Sequence, residues 1–479
     1  MGTELLAPLD LAFWHLESDA HPMHLGALAV FAPAPGPARG ANVSELLGSR
    51  AAAIPRLRMR VRDVLLPVGG AAWFVDKDFD VRRHIERVRL TGVESRDDDG
   101  FMAGATRLAG ELMERPLERG LPPWQMYLVE GADGGPFAVL VKLHHALADG
   151  MRAVAIGAGI FDEIAPLAGR ARGAVSPRRS RAVPPRSWMP GPRQVAGLAL
   201  GRIEDLGRAF GVGASMVRAS RLDLRGAPAL TASSSGTRRL AIADLDLAAV
   251  QCIRRAAGGT TNDVLLAVVA GALRRWMLER GEALPSEDPR ALVPVSRRRP
   301  GQPAATGNKL SAYLLGLPVS EPDPWKRLRA VRTAMDRNKA AGPFRGAGAV
   351  AVLADQLPSL AHRFGAPIAG NAARMLFDVL VTSVPLPRSA LSLGGCPLRA
   401  VYPMAPLARG QSLAVALSTY GGRVQVGLVA DGKALPDLDR LAGCADDEVA
   451  HLLTVLPPPD RPSSINHRSD RFPRRSRSS

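Results

Sequence analysis

Two adjacent histidines open the segment His144-His145-Ala146-Leu147-Ala148-Asp149-Gly150. Imidazole titrates near neutrality, so it can take up a proton and return it within one turnover. Held beside a hydroxyl, such a group can act as general base while the oxygen attacks a thioester carbonyl. No covalent nucleophile is needed if both substrates bind together. Other readings of the same residues stand beside this one. Either histidine could be a core residue with a satisfied hydrogen bond. The pair could ligate a metal, but adjacent residues at a strand end project to opposite faces and chelate poorly, and no third ligand stands at ligand spacing. Asp149-Gly150 could be a turn that caps the next helix, which does not exclude chemistry. The chain has no G-x-S-x-G elbow and no G-x-x-x-x-G-K-[ST] loop, which disfavours a serine hydrolase and nucleotide hydrolysis.

The elements that must position this segment are legible on either side of it. Residues 137–143 (FAVLVKL) are apolar and β-branched and follow the turn signal Asp133-Gly134-Gly135-Pro136, which predicts a strand. From Gly150 to Glu163 the apolar residues Met151, Val154, Ile156 and Ile160 recur at roughly helical spacing. The histidines therefore stand at the C-terminal mouth of a strand, just before a helix.

Further along, helices are expected over 245–257, 262–279, 324–339 and 347–362, and strands over 291–296, 309–317 and 377–384. A hairpin over 411–430 turns at Gly421-Gly422, and a closing helix over 437–456 is capped by Asp437. Strands alternating with helices give an α/β (α+β) fold class. A length of 479 residues suits two domains. The expected boundaries are an N-terminal lobe over 1–168, an Arg/Pro-rich and helical connection over 169–236, a C-terminal lobe over 237–460 and a basic, disordered tail over 461–479.

The chain carries 62 Lys and Arg against 45 Asp and Glu, a net charge of +17. Seven arginines and no acid lie between Arg170 and Arg193, and six arginines against one Asp between Arg461 and Ser479. With no zinc finger, RNP-like aromatic stripe or basic zipper, nucleic acid is not an expected partner. An anionic lipid surface is. Three cysteines without short spacing argue against a disulfide scaffold and a zinc site. The expected location is cytoplasmic, in peripheral contact with the inner membrane face or with lipid droplets. The N-terminus lacks the pattern of a signal peptide, and the longest apolar run, Val264 to Leu273, is half of the roughly 20 residues a span requires.

The His segment has the form HHxxxDG, the signature of the coenzyme-A-dependent acyltransferase superfamily. Other segments narrow the resemblance: Pro8-Leu9-Asp10 with Phe13 and HLESDAHPMHLGAL, Ile54-Pro55-Arg56-Leu57, PPWQMYLVEG with Trp124, Gly259-Thr260-Thr261-Asn262-Asp263-Val264, Pro294-Val295-Ser296, Gly307-Asn308, and Ser418-Thr419-Tyr420-Gly421-Gly422. From Pro8 to about Leu456 the chain resembles the wax ester synthase/diacylglycerol acyltransferase family. The resemblance implies two similar lobes with a tunnel between them. Acyl-CoA would enter as a substrate from one face, and a long-chain alcohol or diacylglycerol from the other. The product would be a wax ester or triacylglycerol, with no cofactor and no metal. It implies that His145 is the base within a catalytic segment that includes His144, Asp149 and Gly150. Asp149 would hold the loop through an ion pair with Arg297 or Arg298. Asn262, Trp124 and Ser383 fall at substrate-binding positions, with a helix N-cap the alternative for Asn262 and packing the alternative for Trp124. Two departures stand out. Thr382-Ser383-Val384-Pro385-Leu386-Pro387 replaces the family's usual Ser-Asn-Val-Pro-Gly-Pro, and Pro122-Pro123-Trp124 replaces Pro-Leu-Trp. The alternative functions are acyl transfer to a polyketide or sugar hydroxyl, peptide-type condensation from a carrier protein, or a catalytically weak lipid-surface binding protein.

Overall fold

The strand Phe137–His144 sends Val139 and Leu143 into one hydrophobic cluster and Ala138 and Leu140 into another. A strand covered on both faces reads as a continuous apolar run, which is why it was conspicuous in the sequence. In the computed structural model, which describes residues 4–33, 40–91, 97–163, 230–232, 234–296, 310–341 and 376–455, this strand lies inside a seven-stranded sheet. The order across that sheet is Ile85–Arg89, Trp124–Glu130, Phe137–His144, His24–Phe31, Cys396–Met404, Leu391–Leu393 and Asp162–Glu163. Only the first pair is parallel. A second, six-stranded sheet runs Leu310–Gly316, Arg290–Ser296, Val379–Val384, Leu413–Tyr420, Arg423–Asp431 and Arg238–Asp246. A small three-stranded sheet joins Glu4–Leu5, Ala71–Val75 and Met59–Asp63.

The chain is thus mixed α/β with two sheet-centred lobes. One core backs the six-stranded sheet with the helices Leu247–Ala257, Thr261–Glu279, Pro324–Ala341 and Leu438–Thr454. A second fills the first lobe, and a third joins the lobes. In that third core, Leu28, Val30 and Leu140 of the larger sheet and Phe101 of the helix Asp98–Glu114 meet Ala414, Ala416 and Val429 of the other sheet. The apolar run 264–273 belongs to the helix Thr261–Glu279, which is buried on nearly all sides. Among the described residues no single helix is long and apolar enough to cross a membrane; Leu247–Ala257 and Thr261–Glu279 reach the required length only as a pair bent by 104°.

Several expectations need correction. The second half of the chain does not build only the second lobe: Leu391–Leu393 and Cys396–Met404 complete the first sheet, pairing with Asp162–Glu163 and His24–Phe31. The strand Arg238–Asp246 was not expected, and the helix after it begins at Leu247 rather than at 245. The helix Gly150–Ile160 stops short of Glu163, because Asp162 and Glu163 enter the sheet. Asp437 sits at the N-terminus of the closing helix but makes no capping bond; its carboxylate accepts from Trp276 Nε1 (3.0 Å) and Arg280 (2.7 Å). The expected connection over 169–236 lies outside the described residues except for 230–232 and 234–236, as do the helix expected over 347–362 and the tail.

Candidate active site

His144 ends its strand, with its N–H donated to the Pro123 carbonyl (3.0 Å), and His145 donates to Met23 (2.8 Å). The chain then turns, with Leu147 N–H returning to the His144 carbonyl (2.9 Å). Ala146, Leu147 and Ala148 are wholly buried in the first-lobe core, so the turn is clamped by packing. Asp149 is buried and caps the helix Gly150–Ile160, its Oδ1 accepting from Arg152 N–H (2.8 Å). Asp149 thus caps the helix that follows the histidine turn, the reading that Asp149-Gly150 also allowed. Arg297 and Arg298, its expected ion-pair partners, lie outside the described residues.

The two histidines occupy different environments. His144 is 1% exposed. Its Nδ1 accepts from Ala146 N–H (3.0 Å), which leaves the proton on Nε2, 3.4 Å from Glu17 Oε1, while Trp14 meets the ring edge-on. Nδ1 is thereby committed to the turn, and Nε2 is buried facing Glu17. His145 is half-buried and stacks on Phe13, with ring centroids 3.9 Å apart and planes inclined by 21°. Burial, with His144 alongside, pushes its pKa down to about 4 against the opposing pull of a hydrogen bond to its own backbone and, more weakly, of Asp149. Its imidazole is therefore neutral at pH 7, the form a base requires.

Glu17 was not singled out from the sequence. Burial pushes its carboxyl up, but the neighbouring His144 N–H, the charge of Arg119 and the Met23 N–H together outweigh this and hold it below the usual range. Arg119 reaches Glu17 Oε2 at 3.3 Å and also lies over Trp14. Phe13, Trp14 and Glu17 all come from one stretch, the helix Pro8–Leu16 and the residue that follows it. Only the resemblance signalled that this stretch mattered.

From the second lobe, Ser383 Oγ donates to Asn262 Oδ1 at 2.8 Å, joining two of the expected substrate-binding residues. Asn262 does not cap its helix. That role belongs to Thr260, which forms a capping box with Asp263 (2.8 and 3.3 Å). This strand also faces the His segment: a β-carbon placed on Gly150 would stand 3.7 Å from Val384 Cγ2. Trp124 is a different matter. It is 1% exposed, donates Nε1–H to Leu57 (2.7 Å) and stacks on His84 (4.5 Å), so it packs the core.

The wax ester synthase/diacylglycerol acyltransferase catalytic-domain model matches residues 6–265, and the C-terminal-domain model of the same group matches 306–452. The chain belongs to this family. Two relatives from Mycobacterium tuberculosis, each named as a probable diacylglycerol O-acyltransferase, are 30% identical to it. One aligns over 94% of this chain and 96% of its own length, the other over 95% and 98%. The solved wax ester synthase/diacylglycerol acyltransferase of Marinobacter aquaeolei VT8 superposes with a TM-score of 0.66 at 22% identity, covering 94% of this chain and 99% of that one. The trichothecene 15-O-acetyltransferase of Fusarium sporotrichioides shares the fold with a TM-score of 0.59 at 11% identity, covering 93% and 94%. For this family member, the stretch matched by the catalytic-domain model holds the helix Pro8–Leu16, both histidines, Asp149 and Asn262. Ser383 falls within the C-terminal match.

Proposed function

We propose that the chain transfers a fatty acyl group from acyl-CoA to the hydroxyl of a long-chain alcohol or a diacylglycerol, giving a wax ester or triacylglycerol, with His145 as general base. The observation that carries the mechanism is the division of labour in the histidine pair. His144 is buried, with Nδ1 bonded to Ala146 N–H and Nε2 turned toward Glu17, whereas His145 is half-buried, neutral and stacked on an aromatic ring that fixes its plane. As the imidazole takes the hydroxyl proton, the oxygen bonds to the thioester carbon. Collapse of the tetrahedral intermediate breaks the C–S bond, and the imidazolium returns its proton to the departing coenzyme A thiolate. The substrate class is supported by the relatives' names. An intact base argues against a merely lipid-binding role. Asn262 and Ser383, paired beside the segment's helix, shape the acceptor side of a tunnel between the lobes. The usual amide at position 383 is a hydroxyl here, and the Asn262 oxygen is its partner.

The test is ester formation by the purified chain from labelled palmitoyl-CoA, with hexadecanol or a diacylglycerol as acceptor. Labelled ester is expected with at least one acceptor. His145→Ala should lower single-turnover ester formation by about 10²–10⁴-fold, the usual cost of losing a general base. His144→Ala should cost less in the chemical step. Full turnover in His145→Ala, or no ester with either acceptor, would refute the proposal.

A further inference from the structure

Among the described residues, five of the eight large hydrophobic side chains that stand exposed belong to the three-stranded sheet and its hairpin loop: Leu5, Leu65, Leu66, Val68 and Val75. Leu65 is 93% exposed, Leu66 71% and Val68 57%. Singly exposed apolar residues are ordinary, whereas a contiguous run at a tip marks an interaction site. The loop is also well built. Val64 N–H donates to the Gly70 carbonyl (3.0 Å) and Gly70 N–H to that of Pro67 (2.8 Å). A β-carbon at Gly70 would lie 2.7 Å from the Pro67 oxygen, so glycine is required there. His15 Nε2 donates to the Gly69 carbonyl at 3.0 Å, bracing the loop against the helix Pro8–Leu16. That helix also supplies Phe13 to His145 and Trp14 to His144.

The geometry points to residues 65–68 as a finger that inserts into an anionic lipid surface and sets the mouth of the histidine site on it. Its form suits a fluid partner better than a protein one. A stable protein interface needs about 800 Å² and 20–30 residues on each side, and the finger presents four. A lipid boundary accepts apolar side chains one at a time, each adding its own transfer free energy. Arg58 and Arg62 are exposed on the neck, against the exposed Asp63, which gives the finger's base a positive balance. That the same lipid holds the acyl acceptor rests on the acyl-transfer reading above; the docking itself does not.

The experiment is flotation of the full chain with vesicles of phosphatidylcholine and phosphatidylglycerol, and with phosphatidylcholine alone. Leu65→Ser/Leu66→Ser should keep the wild-type melting temperature and lose about tenfold or more in partitioning. Leu65→Trp should gain tryptophan emission that brominated phosphatidylcholine quenches, beyond the quenching of the wild-type tryptophans. Transfer from hexanoyl-CoA to dissolved butanol should be equal in wild type and the serine variant. Undiminished flotation of the serine variant, or emission of Leu65→Trp unaffected by brominated lipid, would overturn the proposal. So would a dimer-to-monomer shift in sedimentation with vesicle binding intact, since the finger would then cover a second copy. Absence of ester from the wild type with every acceptor would sink the acyl-transfer reading and leave the flotation result standing.

Discussion

His145 differs from His144 in what surrounds it, and the difference is measurable. An imidazole held down to about pKa 4 by burial stays neutral through the physiological range, so the rate of the chemical step should be flat on the acid side until about pH 5 and fall below it. The same shift has a consequence for stability. Unfolded histidine titrates near 6.5. Between that value and about 4 the unfolded chain binds the proton and the folded chain does not, so the contribution is complete above 6.5 and is lost as the pH falls toward 4. His24, His84 and His21 are shifted in the same direction, each chiefly by burial. The urea midpoint should therefore drop from pH 7.5 to pH 5; a midpoint that rises on acidification would contradict the buried-neutral assignment. At this scale the sequence disclosed the histidine pair, because the motif is contiguous. It did not disclose Glu17, which reaches His144 only because the long stretch of chain between them folds back. Trp124 is a different case: the motif left packing and substrate contact both open, and its hydrogen-bonding needs are met in the core.

Elements position these residues through their ends. Asp149 starts the helix Gly150–Ile160 directly after the histidine turn, so loosening that cap should be felt at His145. Asp149→Ala should lower stability by about 0.5–2 kcal/mol and reduce activity, and Asp149→Asn, whose amide oxygen can cap as well, should recover most of the stability. Thermal unfolding of the two variants separates the cases, and equal losses would show that capping is not what the side chain does. Behind the second sheet, Arg327 and Glu448 are each about 2% exposed and pair at 2.6 Å, with Arg275 and His451 3.8 Å from the same carboxylate. Gly271 makes room for that carboxylate, which a β-carbon there would overlap. This network locks three helices together. Removing one partner of a buried pair costs roughly 3–5 kcal/mol, whereas replacing both with apolar residues is far milder. Arg327→Leu alone should thus be less stable than Arg327→Leu/Glu448→Leu, and a double-mutant cycle in urea would reveal the opposite if the network is dispensable. The hairpin Leu413–Asp431 was readable because Gly421 and Gly422 both take positive φ, 57° and 77°. The helix expected from 262 begins at Thr261; a Thr and an Asn both suit a cap, and only the reciprocal bond between Thr260 and Asp263 decides between them.

At the scale of the whole molecule, the crossing strand Cys396–Met404 decides how the lobes meet. It belongs to the first sheet by its pairing with His24–Phe31, yet it lies against Leu413–Tyr420 and Arg423–Asp431 of the second. Two bonds pin it there: Ser418 Oγ donates to the Val401 carbonyl (2.7 Å), and Tyr402 OH donates to Asp244 (2.5 Å). Nothing in the local pattern of residues 396–404 says which sheet it will join, since any apolar strand with a preceding turn can pair with either. The information sits in small residues far away. Gly427 is the most telling of them, because a β-carbon on it would overlap the carbonyl oxygen of Pro403. That obstacle is backbone on both sides, so no rotamer change can relieve it. Gly427→Ala must either push the crossing strand off the second sheet or distort the strand Arg423–Asp431. Both outcomes open the third core, where Met404 and Val429 pack. The expected cost is at or above the ~3 kcal/mol upper end of ordinary overpacking, with activity lost as the lobes separate. Gly157→Ala is the matched control. A β-carbon there would meet Phe161 at an ordinary 3.8 Å, and alanine favours a helix interior over glycine by about 0.5–1 kcal/mol. Thermal unfolding of the pair decides the matter. If Gly427→Ala melts with the wild type, the close approach of the crossing strand is not what joins the lobes, and the two sheets are held by the apolar side chains between them alone.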